Sequence, residues 1–269
     1  MPLLHLVVLA AVQGVSEFLP VSSSGHLALV PVFTGWRDQG LLLDVAVHVG
    51  TLGAVVLYLS TDIWAMLVGI FKVARGRRDP KAKLALYIVL GTVPVIVAGY
   101  FLNKYYPGGF RSITIIGWTT LGFGIFLALT DWLGMTVRRM EHLRLSDALV
   151  IGVFQILALI PGTSRSGITM SAARLLGFER PDAARFSMLL SIPAITGAGV
   201  LKGIELYESG NAQLTSDAVL AGGMAFGTAL VAILIMMAWL RRASFAPFVF
   251  YRVALGCLLL AIGYGFLGI

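Results

Sequence analysis

Apolar residues in this chain come in long unbroken runs, not in the spaced stripes of a soluble domain. Runs of about twenty, the length that crosses a hydrocarbon core of roughly 30 Å as a helix, fall at 41–60, 84–102, 112–130, 184–204, 217–240 and 248–268. They predict six full transmembrane helices. Two further apolar stretches are shorter and broken. Residues 3–18, about 24 Å long as a helix, run into Pro20 and the polar string SSSGH before LALVPVF, and residues 147–160 run into PGTSRSGIT and then SAARLLGF. Each reads as a re-entrant hairpin. Irregular backbone at membrane depth survives only inside protein or beside a water-filled cavity, so the two breaks are expected to meet in the interior. Residues 62–74 are too short to span comfortably and end in the largest basic cluster, which reads as an interfacial or tucked helix; if they crossed, the orientation upstream would invert.

The two broken segments repeat each other. A shift of 142 residues pairs Gln13 with Gln155, Ser22 with Ser164, Ser24 with Ser166 and Gly25 with Gly167. Three clean spans lie between the copies, and an odd number inverts the second. Inverted repeats with discontinuous helices place a binding site near the midplane where the copies touch. The chain thus reads as one integral membrane domain, 1–269, all-α and polytopic, with six spans, two re-entrant helical hairpins and repeat halves of about 1–130 and 131–269.

Composition sharpens this picture. The chain is 58% hydrophobic and 12% charged, where a soluble domain has about a quarter of its residues charged, which excludes a soluble enzyme, a secreted module and a disordered protein. The net charge of +7 gathers in short loops instead of on one face, so nucleic acid is not an expected partner and membrane topology is what the charge encodes. Lys72 to Lys83, Arg138 to Arg144, Arg174 to Arg185 and Arg241–Arg242 mark loops expected in the cytoplasm. NKYYPGGFR and ELYESGNAQLTSD belong on the opposite face, and Tyr105, Tyr106, Trp118, Trp132, Tyr207 and Trp239, near span ends, read as interface anchors. MPLLHLVVLA has no basic residue before Arg37 and no small-residue cleavage site, so it is expected to stay in the mature chain. The single cysteine, Cys257, excludes an internal disulfide and reads as apolar filling.

The candidate chemistry sits at the two breaks. Gln13 and Glu17, four apart, share a helix face, followed by Ser22, Ser23, Ser24, Gly25 and His26. A carboxylate at membrane depth is costly and by default functional. With serines nearby it suggests a nucleophile and its base. The bland alternative puts Glu17 at the interface and His26 on a backbone carbonyl. The second break offers Ser164, Arg165, Ser166, Gly167 and Thr169: hydroxyls, a guanidinium and the amides of a helix start, a combination that suits phosphate. Here the bland alternative is an arginine snorkelling to headgroups, which fits Arg174, Arg180 and Arg185. Asp44 and His48, four apart near the outer end of the first clean span, could contact headgroups, tune the site or simply cap and pair with each other.

QGVSEFLPVSSSGH followed by PGTSRSGIT resembles the bacterial undecaprenyl-diphosphate phosphatase family, and the likeness extends over the whole chain to RASFAPFVFYR. The resemblance implies a membrane enzyme of the bacterial plasma membrane, with its active site open to the outer side. It would remove the terminal phosphate of undecaprenyl diphosphate to recycle the lipid carrier of cell-wall synthesis, using Mg2+ or another divalent cation such as Ca2+. It implies Glu17, Ser23, His26 and Arg165 as catalytic residues, and Ser22, Ser24, Ser164, Ser166, Gly167 and Thr169 as substrate-binding. Glu17 and Gln13 would be metal ligands, Gln13 standing where many relatives have Glu. The expected partners are the polyprenyl diphosphate substrate, membrane lipids and a second copy of the chain as a homodimer. In the implied mechanism Ser23 attacks phosphorus with His26 or Glu17 taking its proton; direct attack by water uses the same residues. Rival readings are a transporter or flippase of a phosphorylated polyprenyl lipid, which shares the inverted-repeat architecture, a type-2 phosphatidic acid phosphatase, which needs a histidine after Arg165 that the chain lacks, and a structural scaffold.

Overall fold

In hydrocarbon a helix satisfies its own backbone polar groups, and helices make up nearly all of this chain. The computed structural model describes residues 2–36, 40–106, 112–208 and 212–266. The helices are α1 (Leu3–Ser16), α2 (Ser23–Thr34), α3 (Leu41–Tyr58), α4 (Ser60–Ala74), α5 (Pro80–Tyr105), α6 (Ile113–Leu133), α7 (Leu145–Gln155), α8 (Arg165–Leu175), α9 (Arg180–Glu208), α10 (Ala212–Leu240) and α11 (Ala246–Gly263). Extended pairing among the described residues is a single bridge, Arg138 to Phe178. The expected low-cation loops at 103–111 and 205–217 lie partly outside the described residues, as does the side chain of Tyr207.

Among the described residues four helices, α5, α6, α10 and α11, are long and apolar enough to cross a membrane, and α3 with α4 makes a fifth candidate bent by 75°. The span expected at 184–204 is α9, 29 residues long, with Arg180, Asp182 and Arg185 in its first two turns. Residues 62–74, expected as an interfacial or tucked helix, lie in α4, which is bent by 75° from α3 and packs on α5. Exposed Val89, Ile96, Phe101, Leu234, Ile235 and Phe250 give the outer surface the apolar character that lipid requires. Cys257, expected as interior filling, is on this exposed surface instead.

A helical hairpin stands at each of the two breaks. α1 packs on α2, and α7 on α8. α1 and α7 start at residues 3 and 145, α2 and α8 at 23 and 165, so each pair is offset by 142. Exchanging α1 with α7, α2 with α8, α3 with α9, α5 with α10 and α6 with α11 turns the contact α1–α10 into α7–α5. It likewise turns α3–α10 into α9–α5 and α6–α8 into α11–α2, and all of these are observed. α4 has no counterpart. In lipid, close packing replaces water exclusion as the attraction between helices. At Gly50 a Cβ would lie 2.0 Å from the Gly222 carbonyl oxygen, so α3 and α10 approach closely only because that carbon is absent.

The arginines assigned to headgroups are tied to aspartates. Arg174, fully buried, bonds Asp131 at 3.1 Å, as Arg180 does at 2.7 Å; Arg185 pairs with Asp62, and Arg138 with Asp147 at 2.5 Å. Snorkelling is therefore not what these side chains do: a carboxylate from another segment reaches each of them. The Arg174, Arg180 and Arg185 pairs pin α8 and the start of α9 to α6 and α4, and the Arg138 pair ties the loop before α7 to that helix.

Candidate active site

Two residues hold the architecture of the site. Ser22 and Ser164 are the only non-glycine residues with positive φ among the described ones, at 75° and 68°, a conformation that is costly and persists where the surroundings impose it. Each caps the helix that follows, its hydroxyl accepting from Gly25 N at 3.4 Å or Gly167 N at 3.1 Å. Each hydroxyl also lies against the second serine onward, Ser24 or Ser166. Those two serines stitch the hairpins together: Ser24 Oγ accepts from Gly162 N at 2.9 Å, and Ser166 Oγ donates to the Leu19 carbonyl at 2.9 Å. The breaks therefore meet, and two helix N-termini, each with orphan amides and a positive dipole end, face one place.

Glu17, at the end of α1, lies at the centre. Its side chain is 6% exposed, and Arg165 Nη2 donates to its Oε1 at 3.0 Å. Gln13 Nε2 donates to Oε2 at 2.8 Å, Ser23 Oγ donates to Oε2 at 3.0 Å, and His48 Nε2 lies 3.4 Å from Oε2. A carboxylate, a hydroxyl and a guanidinium are thus gathered across the two hairpins, as the broken segments predict. Arg165 also donates to the Ser187 carbonyl at 3.3 Å and sits 5.7 Å from the centre of the Phe18 ring.

The other expected residues are placed further back. His26 Nδ1 is 2.7 Å from the Ser22 carbonyl, which can only accept, so Nδ1 carries a proton; Nε2 is 2.6 Å from the Tyr251 hydroxyl. His26 thus braces the strained turn, and the hydroxyl of Ser23 goes to Glu17. Thr169, fully buried, bonds the Arg165 carbonyl at 2.8 Å and the Ser187 hydroxyl at 2.7 Å. Ser164, Ser166 and Gly167 lie buried under the turn, so they and Thr169 support Arg165 from behind. For Asp44 and His48, the structure shows His48 Nδ1 2.6 Å from the Asp44 backbone carbonyl and its Nε2 3.4 Å from Glu17.

Sequence reasoning passed over Ser187, Tyr251 and Arg252. Arg252 left a signal, a lone charge inside the apolar run 248–268. Ser187 left none.

For a divalent cation, Gln13 Oε1 is a fully buried oxygen with no partner among the described residues, one turn before the Glu17 carboxylate. Among the described residues no three His, Cys, Asp or Glu side chains gather as a cage. An amide oxygen and one carboxylate fit Mg2+, which takes few protein ligands and completes its shell with water and substrate phosphate.

A helical membrane protein whose two broken hairpins join a carboxylate-bound serine to an arginine is the kind of membrane-embedded site that handles a phosphorylated lipid. The bacitracin resistance protein BacA family matches residues 6–258, and the chain belongs to that family. It is 53% identical to undecaprenyl-diphosphatase 1 of Rhodospirillum rubrum, over 98% of this chain and 96% of that one. The undecaprenyl-diphosphatases of Ruegeria pomeroyi (50%, over 98% and 100%) and Hahella chejuensis (47%, over 96% and 97%) are similar along nearly their full lengths.

Proposed function

We propose that this protein is a membrane phosphatase that hydrolyses undecaprenyl diphosphate to undecaprenyl phosphate and inorganic phosphate. The observation that carries the reading is the Glu17–Arg165 contact between the hairpins, with Ser23 on the same carboxylate. Arg165 has the planar fork that grips phosphate oxygens, and the orphan amides at the starts of α2 and α8 add positive potential where the diphosphate would lie. Ser23 Oγ attacks the terminal phosphorus, and Glu17 Oε2, already its acceptor at 3.0 Å, takes the proton. The leaving oxygen departs as undecaprenyl phosphate and Glu17 releases its proton to solvent; water then attacks the phosphoserine, giving its proton to Glu17, which passes it to the departing Ser23 oxygen as phosphate is released. Gln13 Oε1 and Glu17 would hold Mg2+, or another divalent cation such as Ca2+, which supplies charge neutralisation of the phosphate oxygens when bound.

The halves, about 1–130 and 131–269, form an inverted repeat in the bacterial plasma membrane, with basic loops in the cytoplasm and the site open to the outer face. The prenyl tail would lie in lipid beside the helices, and a second copy of the chain is the expected protein partner.

Phosphate release from undecaprenyl diphosphate by purified protein in detergent tests the reading. Activity is expected to fall on chelation and to be lost in Glu17→Ala and Arg165→Ala. No release without a membrane gradient would favour lipid transport instead.

A further inference from the structure

A single ionisable residue inside an apolar run costs at least a few kcal/mol unless its surroundings satisfy it. Arg252 is such a residue. It lies in α11, fully buried, and among the described residues it pairs with no carboxylate; its hydrogen bonds run to backbone carbonyls. Nε donates to Thr120 at 3.2 Å, Nη1 to Pro20 at 3.4 Å, and Nη2 to Gly162 at 3.1 Å and Thr163 at 2.9 Å. Pro20 belongs to the first hairpin's turn, between Glu17 and Ser23. Gly162 and Thr163 belong to the second, immediately before Ser164 and Arg165. One guanidinium therefore grips both turns, through carbonyls that lie between helices.

Two glycines make room for it. A Cβ at Gly124 would lie 2.9 Å from Arg252 Cβ, and one at Gly167 would lie 2.8 Å from Arg252 Nη1. The glycine after Ser-Arg-Ser in the second motif thus has a steric reason in a residue 85 positions away (252 − 167). Lysine cannot copy this grip, because its single ammonium lacks the rigid fork of donors.

We propose that Arg252 is a positioning residue for the phosphatase reaction: it sets the separation of the two hairpin turns and so holds Ser23 and Glu17 in register with Arg165. This rests on the reading that those three are the reacting groups. Misplacing reacting groups by about 1 Å can cost ~100-fold in rate, so the defect belongs in kcat, while KM, governed largely by the lipid tail and the phosphate contacts, stays within about twofold.

The test is kcat, KM and detergent thermal midpoint for the full-length Arg252→Lys, Arg252→Met, Gly167→Ala and Arg252→Lys/Gly167→Ala variants on undecaprenyl diphosphate. Expected are losses in kcat of ~10-fold for Lys, which keeps a charge and donors, and ~100-fold for Met. Gly167→Ala should lose ~10-fold alone but less than about threefold when added to Arg252→Lys, because the obstructing Nη1 is gone. If the Met variant does not fold, the Lys and Ala pair carries the result. Equal effects of Gly167→Ala in both backgrounds, or a raised KM with kcat unchanged, would overturn the proposal. Turnover surviving in Glu17→Ala would instead remove the phosphatase site itself, while the Arg252–Gly167 coupling could still be measured.

Discussion

The two hairpins share a skeleton and differ in what they carry. Both have a strained serine cap, a second serine reaching the opposite turn and a buried glutamine 142 residues apart. At that same offset Glu17 faces Leu159, Ser23 faces Arg165 and His26 faces Ile168. Gln13 donates to Glu17, whereas neither amide atom of fully buried Gln155 has a partner among the described residues. The shared part builds two helix N-termini pointing at one place; the divergent part splits the chemistry into an acid-and-hydroxyl turn and a cationic turn. A symmetric pair would have set acid against acid, or arginine against arginine, in a buried pocket, where like charges repel strongly.

Breaking the cationic half should have the largest effect. Arg165→Ala is expected to lower kcat/KM by ~10³-fold or more, the scale of removing an arginine from developing phosphoryl charge. Turnover within tenfold of the parent would contradict the division of labour. Next comes Ser23→Ala, for which at least ~100-fold loss is expected; near-normal turnover would favour direct attack by water. His26→Ala should lose about tenfold, because its contacts are with the Ser22 carbonyl and Tyr251 and not with Ser23; a loss equal to that of Glu17→Ala would make His26 the base. The smallest effect sharpens the comparison most. Gln155→Leu should leave turnover unchanged and stabilise the protein by about 1 kcal/mol, since an unpaired buried amide is removed, whereas Gln13→Leu should lower activity. Parallel kinetics and thermal unfolding of the two would show whether the second copy kept only the scaffold.

Much of this was legible in the residue pattern. The apolar runs gave the helices, and the breaks at Pro20 and Pro161 gave the hairpins, because short polar strings at membrane depth have no other stable place. Glu17 and Arg165 could be paired in advance because each is costly to bury alone. What stayed hidden depends on distances across the chain. His48 could be raised as a candidate but not placed on Glu17, because the face its helix turns to Glu17 is set by packing on α9 and α10. Ser187 reaches Arg165 through its backbone carbonyl, which every residue has, and its hydroxyl meets Thr169. Thr169 carries a motif position but faces inward, since a threonine hydroxyl in a helix bonds the carbonyl one turn back. The Asp131, Asp62 and Asp147 partners of the basic residues were missed because loop charge alone signals topology and not pairing.

The account depends most on Glu17 and Arg165 working as a unit across the two turns. The direct measurement is phosphate release by the parent, Glu17→Gln, Arg165→Lys and the double variant, all purified in the same detergent. The expected result is at least a ~100-fold loss in each single variant, with the double no more than about threefold below the weaker single. Losses that multiply, or a single variant that keeps parental turnover, would show that the contact is not the reacting centre.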